Sequence, residues 1–311
     1  MTAFKLLDLS KVPVPDVISS PDFETTYQEL KDILVGLKEE YRDVLALESD
    51  PLAKALQVFA YREILLEAKI NDATRSNMLA TATANDLDAI GARYNVERLV
   101  IQEANTAAVP PVAQVLEQDS SYRRRIQMAF DGLNTAGSDD AYVFHALSAS
   151  GEVLDVDASS PSPCHMVVTV LGRNGNGVPD NNVLVDVRRY FGLSDDGSQV
   201  LETASKVRPL GDKVSVVAAQ VIEYPVEAVL TILPGPSGEV IQQAAETAVW
   251  AYVRDRHKLG YDVTRSGLYA ALHQAGVHSV ELITPTADLK MNNVQAAYCS
   301  GVQVTIGGVD V

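Results

Sequence analysis

The residues best suited to chemistry form the run Gly172-Arg173-Asn174-Gly175-Asn176-Gly177. A glycine-rich loop between a strand and a helix is where backbone N–H groups and a helix N-terminus can cradle a phosphate. The spacing here is G-x-x-G-x-G rather than G-x-G-x-x-G. The Lys-Ser/Thr of a Walker loop is missing, and the next helix begins only after Pro179-Asp180. Gly and Asn are also the ordinary residues of turns that need positive φ, so we read the run as a structural turn. The histidines His145, His165, His257, His273 and His278 show no ligand spacing with one another, with a cysteine or with a carboxylate. Cys164 and His165 are adjacent, so their side chains diverge on a strand, and His273 and His278 straddle a turn at Gly276. Asp195-Asp196-Gly197 has the flavour of a calcium loop but lacks the ladder of ligands. It reads as a loop between Gly192 and Lys206. No nucleophile elbow or zinc-protease motif is present, and no catalytic residue, metal or cofactor is expected.

Composition narrows the classes further. The chain has 311 residues, enough for two or three domains with real cores. Acidic residues outnumber basic ones 41 to 25, for a net charge of −16. That balance argues against a nucleic-acid backbone or an anionic lipid surface as partner. Two cysteines make no disulfide framework and fit a reducing compartment. The first residues, MTAFKLLDLSKVPVPDV, lack the apolar core of a signal peptide, and no apolar run reaches membrane-spanning length. The expectation is a cytosolically made protein with no membrane anchor.

The elements form an all-helical first third followed by an α+β remainder, which sets the expected fold class. Residues 1–21, with Pro13, Pro15 and Pro21, read as an extended arm, and 22–104 as a helical bundle domain. Residues 105–150 read as a linker with helices, and 151–311 as one or more α+β oligomerisation domains. The cleanest periodicity is Phe23, Tyr27, Leu30, Leu34, Leu37, Tyr41 and Val44, at alternating steps of four and three. It predicts one helix over Phe23–Val44, roughly 32 Å long, with a coiled-coil seam. That seam packs either inside its own domain or in an intermolecular bundle.

Ser49-Asp50-Pro51 then signals the start of a second helix running to about Ala80. One of its seams holds Leu52, Leu56, Phe59, Leu66, Ile70 and Ala73, and another holds Ala55, Val58, Leu65 and Ala68. A helix apolar on several sides has to lie between neighbours. Glu63 sits on the first seam, where a charge is costly without a partner. That partner is Arg62 of another copy, Arg75 of the same helix, or a group on another protein. Further helices are expected near 85–93, 120–133, 138–147, 181–191, 239–258 and 266–275. Strands are expected near 153–156, 166–171, 214–222, 226–233, 277–283 and 302–306, with a bend at Tyr224-Pro225 and a loose strand-pair, loop, helix echo.

The block Leu47-Glu48-Ser49-Asp50-Pro51, Ala60-Tyr61-Arg62-Glu63, Asn71-Asp72-Ala73 and Asn85-Asp86-Leu87-Asp88-Ala89-Ile90-Gly91 continues into Arg98-Leu99. It resembles the baseplate assembly protein J family of contractile-tailed phages of the Peduovirus type, which has relatives in Mu-like phages and R-type pyocins. Collinear matches continue through Tyr122-Arg123-Arg124-Arg125-Ile126-Gln127, Arg208-Pro209-Leu210, Leu233-Pro234-Gly235-Pro236 and Tyr269-Ala270-Ala271-Leu272-His273. In two places the chain departs from the pattern. Ala84 stands where relatives often have Gly, and Leu193–Val207 is longer than usual.

The resemblance implies a non-enzymatic wedge component of the tail baseplate, assembled in the bacterial host cytoplasm. It implies two copies per wedge, partnered by wedge protein I and protein W, with hub or spike proteins nearby. It also implies a helical bundle shared between chains and an α+β ring around the tail hub. On that reading Phe23, Tyr27, Leu30, Leu34, Leu37, Tyr41, Val44, Arg62 and Glu63 are the interface residues. The competing readings are a nucleotide- or phosphate-binding enzyme built on Gly172–Gly177 and a non-viral coiled-coil adaptor.

Overall fold

The computed structural model describes residues 6–12, 20, 22–134, 136–201, 207–235 and 237–310. Most of the arm expected over 1–21, part of the loop ending at Lys206, and Pro236 lie outside the described residues. Two compact units divide the chain, Met1–Glu97 and Arg98–Val311.

The first unit is helical: α1 (Phe23–Leu37), α2 (Tyr41–Leu45), α3 (Pro51–Ser76) and α4 (Ala84–Arg93). Asp22 caps α1, its carboxylate accepting from the Thr25 N–H at 2.9 Å. Asp50 caps α3 through the Leu52 N–H at 2.8 Å, with Pro51 in the first turn. The single helix expected over Phe23–Val44 is not formed. The chain leaves the helix at Lys38, which is extended (φ −156°, ψ 113°). Gly36 weakens the last turn of α1, and the break rotates Leu45 into the core. Leu45 is 2% exposed, whereas Val44, the residue in heptad register, is 37% exposed. The α3 helix also stops short of Ala80. Asn77 caps it, and its side-chain amide donates to the Ala73 carbonyl at 2.8 Å. Ser76 Oγ then donates to Asp86 at 2.8 Å and ties in α4. The core is Tyr27, Leu45, Ala53, Leu56 and Ala60. Ala53, Leu56 and Ala60 recur along one face of α3, and the two alanines let α1 approach closely.

The second unit begins with a hairpin of β1 (Val100–Gln102) and β2 (Val115–Leu116), in the segment read as a linker. Helices α5 (Asp119–Gln127) and α6 (Asp139–Ala149) follow. The helix expected to reach Leu133 ends at Gln127, and a 3-10 turn covers Asp131–Leu133. Strands β3 (Val153–Ser162) and β4 (His165–Gly172) pair antiparallel, and α7 (Asn181–Tyr190) crosses over to β5 (Lys213–Ala218), parallel to β4. A second sheet has the order β7-β6-β8. It is built from β6 (Gln220–Ile232), α8 (Gly238–Arg256), α9 (Arg265–Leu272), β7 (Val277–Thr284) and β8 (Gln295–Val309).

The run expected as one strand to Ile222 splits at Ala219, and its two halves enter different sheets. Strand β6 continues straight through Tyr224-Pro225, because a bulge opposite Gly301 absorbs the proline. The closing strand is longer than expected, at 15 residues. On β6, Tyr224, Val226, Ala228, Leu230 and Ile232 alternate into the core. They meet Ile241, Ala245, Val249 and Val253, four residues apart on α8. The fold class is therefore α+β, with a helical N-terminal region followed by β-containing parts.

Charged groups pin the first sheet. Arg125 on α5 donates through Nε to Glu117 at 3.0 Å, and both side chains are 4% exposed. Arg124 donates to Asp155 on β3 at 2.8 Å. The other oxygen of Asp155 accepts from the Leu259 N–H at 3.0 Å, joining β3 to the loop after α8.

Candidate assembly surface

The α3 helix is longer than the element that covers it. At 1.5 Å per residue its 26 residues span about 39 Å, against about 22 Å for the 15 residues of α1. Ala53, Leu56, Ala60 and Asn71 make its buried stripe. On the opposite side stand Val58 (62% exposed), Phe59 (63%), Tyr61 (58%), Leu65 (37%), Leu66 (58%) and Ile70 (51%). At 100° per residue these six occupy an arc of about 180°. A surface helix normally turns that side polar; here six large hydrophobics share it with the exposed Arg62, Lys69 and Asp72. Ile33, Leu37 and Leu47 add exposed apolar side chains in the same unit.

The residues singled out from the sequence divide into two groups. Tyr27 is buried in the unit's own core, with the Phe23 ring stacked on it at 5.8 Å and the Lys31 ammonium 4.2 Å above it. Leu30, Leu34 and Tyr41 are half-buried against that core. Leu37 is 80% exposed, and Val44 faces solvent. Arg62 and Glu63 are exposed and form no ion pair or hydrogen bond among the described residues. Arg62 lies within the bare apolar arc and Glu63 at its edge. Arg75 is twelve residues along the helix from Glu63, about 18 Å, which removes it as the partner. Val58, Phe59, Tyr61, Leu65, Leu66 and Ile70 were not among the site residues taken from the sequence. Part of their signal was there, in an α3 apolar on several sides; the shortness of the helix covering it was not.

The glycine loop is used by the fold. Gly175 and Gly177 have φ of +63° and +99°, and a Cβ at Gly172 would lie 2.9 Å from the Pro179 Cα. Several of the loop's donors are engaged: Gly172 N–H by the Gly177 carbonyl at 2.7 Å, Arg173 N–H by the Glu152 carbonyl at 2.8 Å, Gly177 N–H by the Asn174 carbonyl at 3.2 Å, and Val178 N–H by the Asn176 side chain at 3.2 Å. Asp180 stands at the N-cap of α7, where a phosphate would meet a negative charge.

The acidic loop is likewise engaged, with Arg189 gripping both oxygens of Asp195 at 2.8 Å. His165 bonds Ser215 at 2.9 Å and His257 bonds the Ala297 carbonyl at 2.8 Å. His145 is buried beside Phe144 and Tyr190, and desolvation lowers its pKa. Among the described residues no group of three His, Cys, Asp or Glu side chains could hold a metal. No described helix is long and apolar enough to cross a membrane.

Three family domains match in order along the chain. They are the baseplate J-like N-terminal domain over residues 48–105, the central domain over 134–218 and the C-terminal domain over 224–305. Baseplate protein J of Escherichia phage P2 is 42% identical over 310 residues, covering 98% of this chain and 99% of that protein. The chain belongs to the baseplate J family. As a member it is a structural component of the phage tail baseplate. A solved structure, the anti-feeding prophage baseplate, aligns over 60% of this chain and 43% of that one, at 17% identity and a TM-score of 0.38. The first family domain, 48–105, contains the whole of α3.

Proposed function

We propose that this baseplate J chain joins its neighbours in the wedge through the bare side of α3. The occupants are helices of a second copy, of wedge protein I and of protein W, with hub or spike proteins beyond them. Phe23, Tyr27, Leu30 and Leu34 hold α1 against α3 from inside the unit. Leu37, Val44, Arg62 and Glu63 lie on the side offered to partners, and Arg62 of one copy is the natural counter-charge for Glu63 of the other. The β-containing unit supplies the ring around the hub.

The observation that carries this reading is the arc of six large hydrophobics on α3's outer side. Full burial of such a side chain is worth about 1.5–3 kcal/mol, enough for a few of them to drive stable association. The test is Phe59→Asp/Leu66→Asp, co-expressed with wedge partners and followed by size-exclusion chromatography with light scattering. Both positions are exposed, so circular dichroism should match the parent while the complex is lost. A variant that still forms the complex refutes the reading.

A further inference from the structure

We infer that the α3 helices of two copies pair parallel and in register along Phe59–Ala73, with Arg62 of each copy meeting Glu67 of the other. The inference rests on reading the bare side of α3 as an assembly surface, and it names which helix takes one edge of that surface and in which direction.

Phe59, Glu63, Leu66, Ile70 and Ala73 recur at steps of four and three, the spacing of a seam shared by two helices. Leu52 and Leu56 begin the same seam, but Leu56 is buried in the unit's own core and Leu52 packs against that core. From Phe59 on, every seam position is exposed. This free stretch runs about 22 Å. Two heptads are short for a coiled coil of free peptides. Here α3 is already folded and capped within its unit, so association carries no cost of helix formation.

The seam's composition favours a parallel pair. Phe59, Leu66 and Ala73 fall on the d positions of the heptad, and Glu63 and Ile70 on the a positions. Ile at a with Leu at d favours two parallel strands. Glu63 at a needs an opposite charge. In a parallel, in-register pair the g residue just before it on the other copy, Arg62, lies beside it.

The flanking charges select a second copy as the occupant. In a parallel pair a g residue reaches the e residue five positions further along the partner helix, and such contacts set partner choice and orientation. Five positions on from Arg62 is Glu67. The helix therefore carries both halves of the pair and matches itself twice about a two-fold axis. The next g residue, Lys69, would face the uncharged Thr74. Antiparallel pairing sets g against g instead and brings Arg62 toward Lys69, a like charge. Arg62, Glu63 and Glu67 form no ion pair or hydrogen bond among the described residues, so all three are available. Val58, Tyr61 and Leu65 lie off this seam and remain for other wedge proteins.

Sedimentation of the full chain across a dilution series should show a dimer. Arg62→Glu and Glu67→Arg each turn both symmetry-related pairs repulsive, so each should weaken the dimer about tenfold with circular dichroism unchanged. Glu67→Arg also lowers the net negative charge, so general repulsion between copies predicts the opposite sign. Mixing the two variants restores opposite charges at both sites, and the mixture should associate more tightly than either alone. A parent chain that is monomeric at every concentration overturns the inference. So does either substitution that leaves the dimer as it was, or a mixture no tighter than its components. A dimer strengthened by Arg62→Glu overturns it too, because only an antiparallel pair gains there, through Lys69. Failure of the wider reading shows separately, as wedge complexes that persist in the Phe59→Asp/Leu66→Asp chain.

Discussion

Arg125→Leu removes the counter-charge of Glu117, and the structure sets the size of the effect. Both side chains are 4% exposed, and Arg125 reaches Glu117 through two nitrogens. With Arg125 gone, the Glu117 carboxylate keeps one donor, the Leu99 N–H at 3.2 Å. Stranding a buried charge costs about 3–5 kcal/mol. A cavity of about 30 Å³ bordered by Glu117, Arg124 and Arg173 has room for one water, which favours the lower end of that range. For a unit of roughly 200 residues, each kcal/mol moves Tm by about 2–4 °C, so a fall of about 10 °C is expected. Glu117→Met/Arg125→Leu removes both charges and should recover most of the loss, because an apolar pair of similar volume is often no worse than a buried ion pair. Calorimetry on the full chain reads this in the transition of the second unit. A single substitution costing under about 1 kcal/mol, or a double substitution as damaging as the two singles together, refutes the reasoning.

Leu56→Ala should cost the first unit about 2–5 kcal/mol, while Phe59→Ala, three residues along the same helix and 63% exposed, should cost under about 0.5 kcal/mol. Urea titration followed by far-UV circular dichroism compares them. Ala84 has φ of +48°, a left-handed conformation costing roughly 1–2 kcal/mol without glycine. Ala84→Gly should therefore stabilise the first unit by about 1 kcal/mol in the same titration. Burial, then the neighbouring Asp155 and Asp139, raise the Asp157 pKa to about 6. An acid whose folded pKa is raised contributes most below its unfolded pKa, and that contribution is lost as pH climbs through the folded value. Stability should thus fall between about pH 4 and pH 6 through this group, and the Asp157→Asn chain should show a flatter profile there in pH-dependent melting.

How much of this was legible in the sequence depends on where each element finds its partner. Helix starts were written locally, at Asp50-Pro51 and at Ser138, because a cap needs only its own first turn. The alternation on β6 was equally local. Where the heptads after Leu34 would end was not, because the pattern of Leu37, Tyr41 and Val44 fits a continuing helix as well as a break. Rotation of Leu45 into a core shared with α3 decided for the break. The split at Ala219 was hidden for a similar reason. Strands β5 and β6 are both β-branched runs, and their separation reflects two different sheets, which no local pattern encodes. Pro225 invited a bend, but a bulge on β8, more than seventy residues away in sequence, accommodated it.

Periodicity records which side chains must leave water and is silent on what removes them. The α3 sequence was apolar on several sides, and its own unit accounts for only one of them. Ala53, Leu56 and Ala60 are spent on α1, while Phe59, Leu66 and Ile70, on a seam that begins with Leu52, remain in solvent. Had the chain been selected to stand alone, those positions would cost nothing to make polar, since each is more than half exposed. Retaining six large hydrophobics there in a chain otherwise so rich in Asp and Glu sets two requirements against each other. The acidic surface keeps copies apart in solution, and the apolar arc rewards contact only where a neighbour matches its shape. Under the proposed function, that opposition would steer association to the α3 side. It also explains why motifs that looked chemical, such as Gly172–Gly177, resolve into turns. The fold uses its glycines to bring Pro179 close to β4.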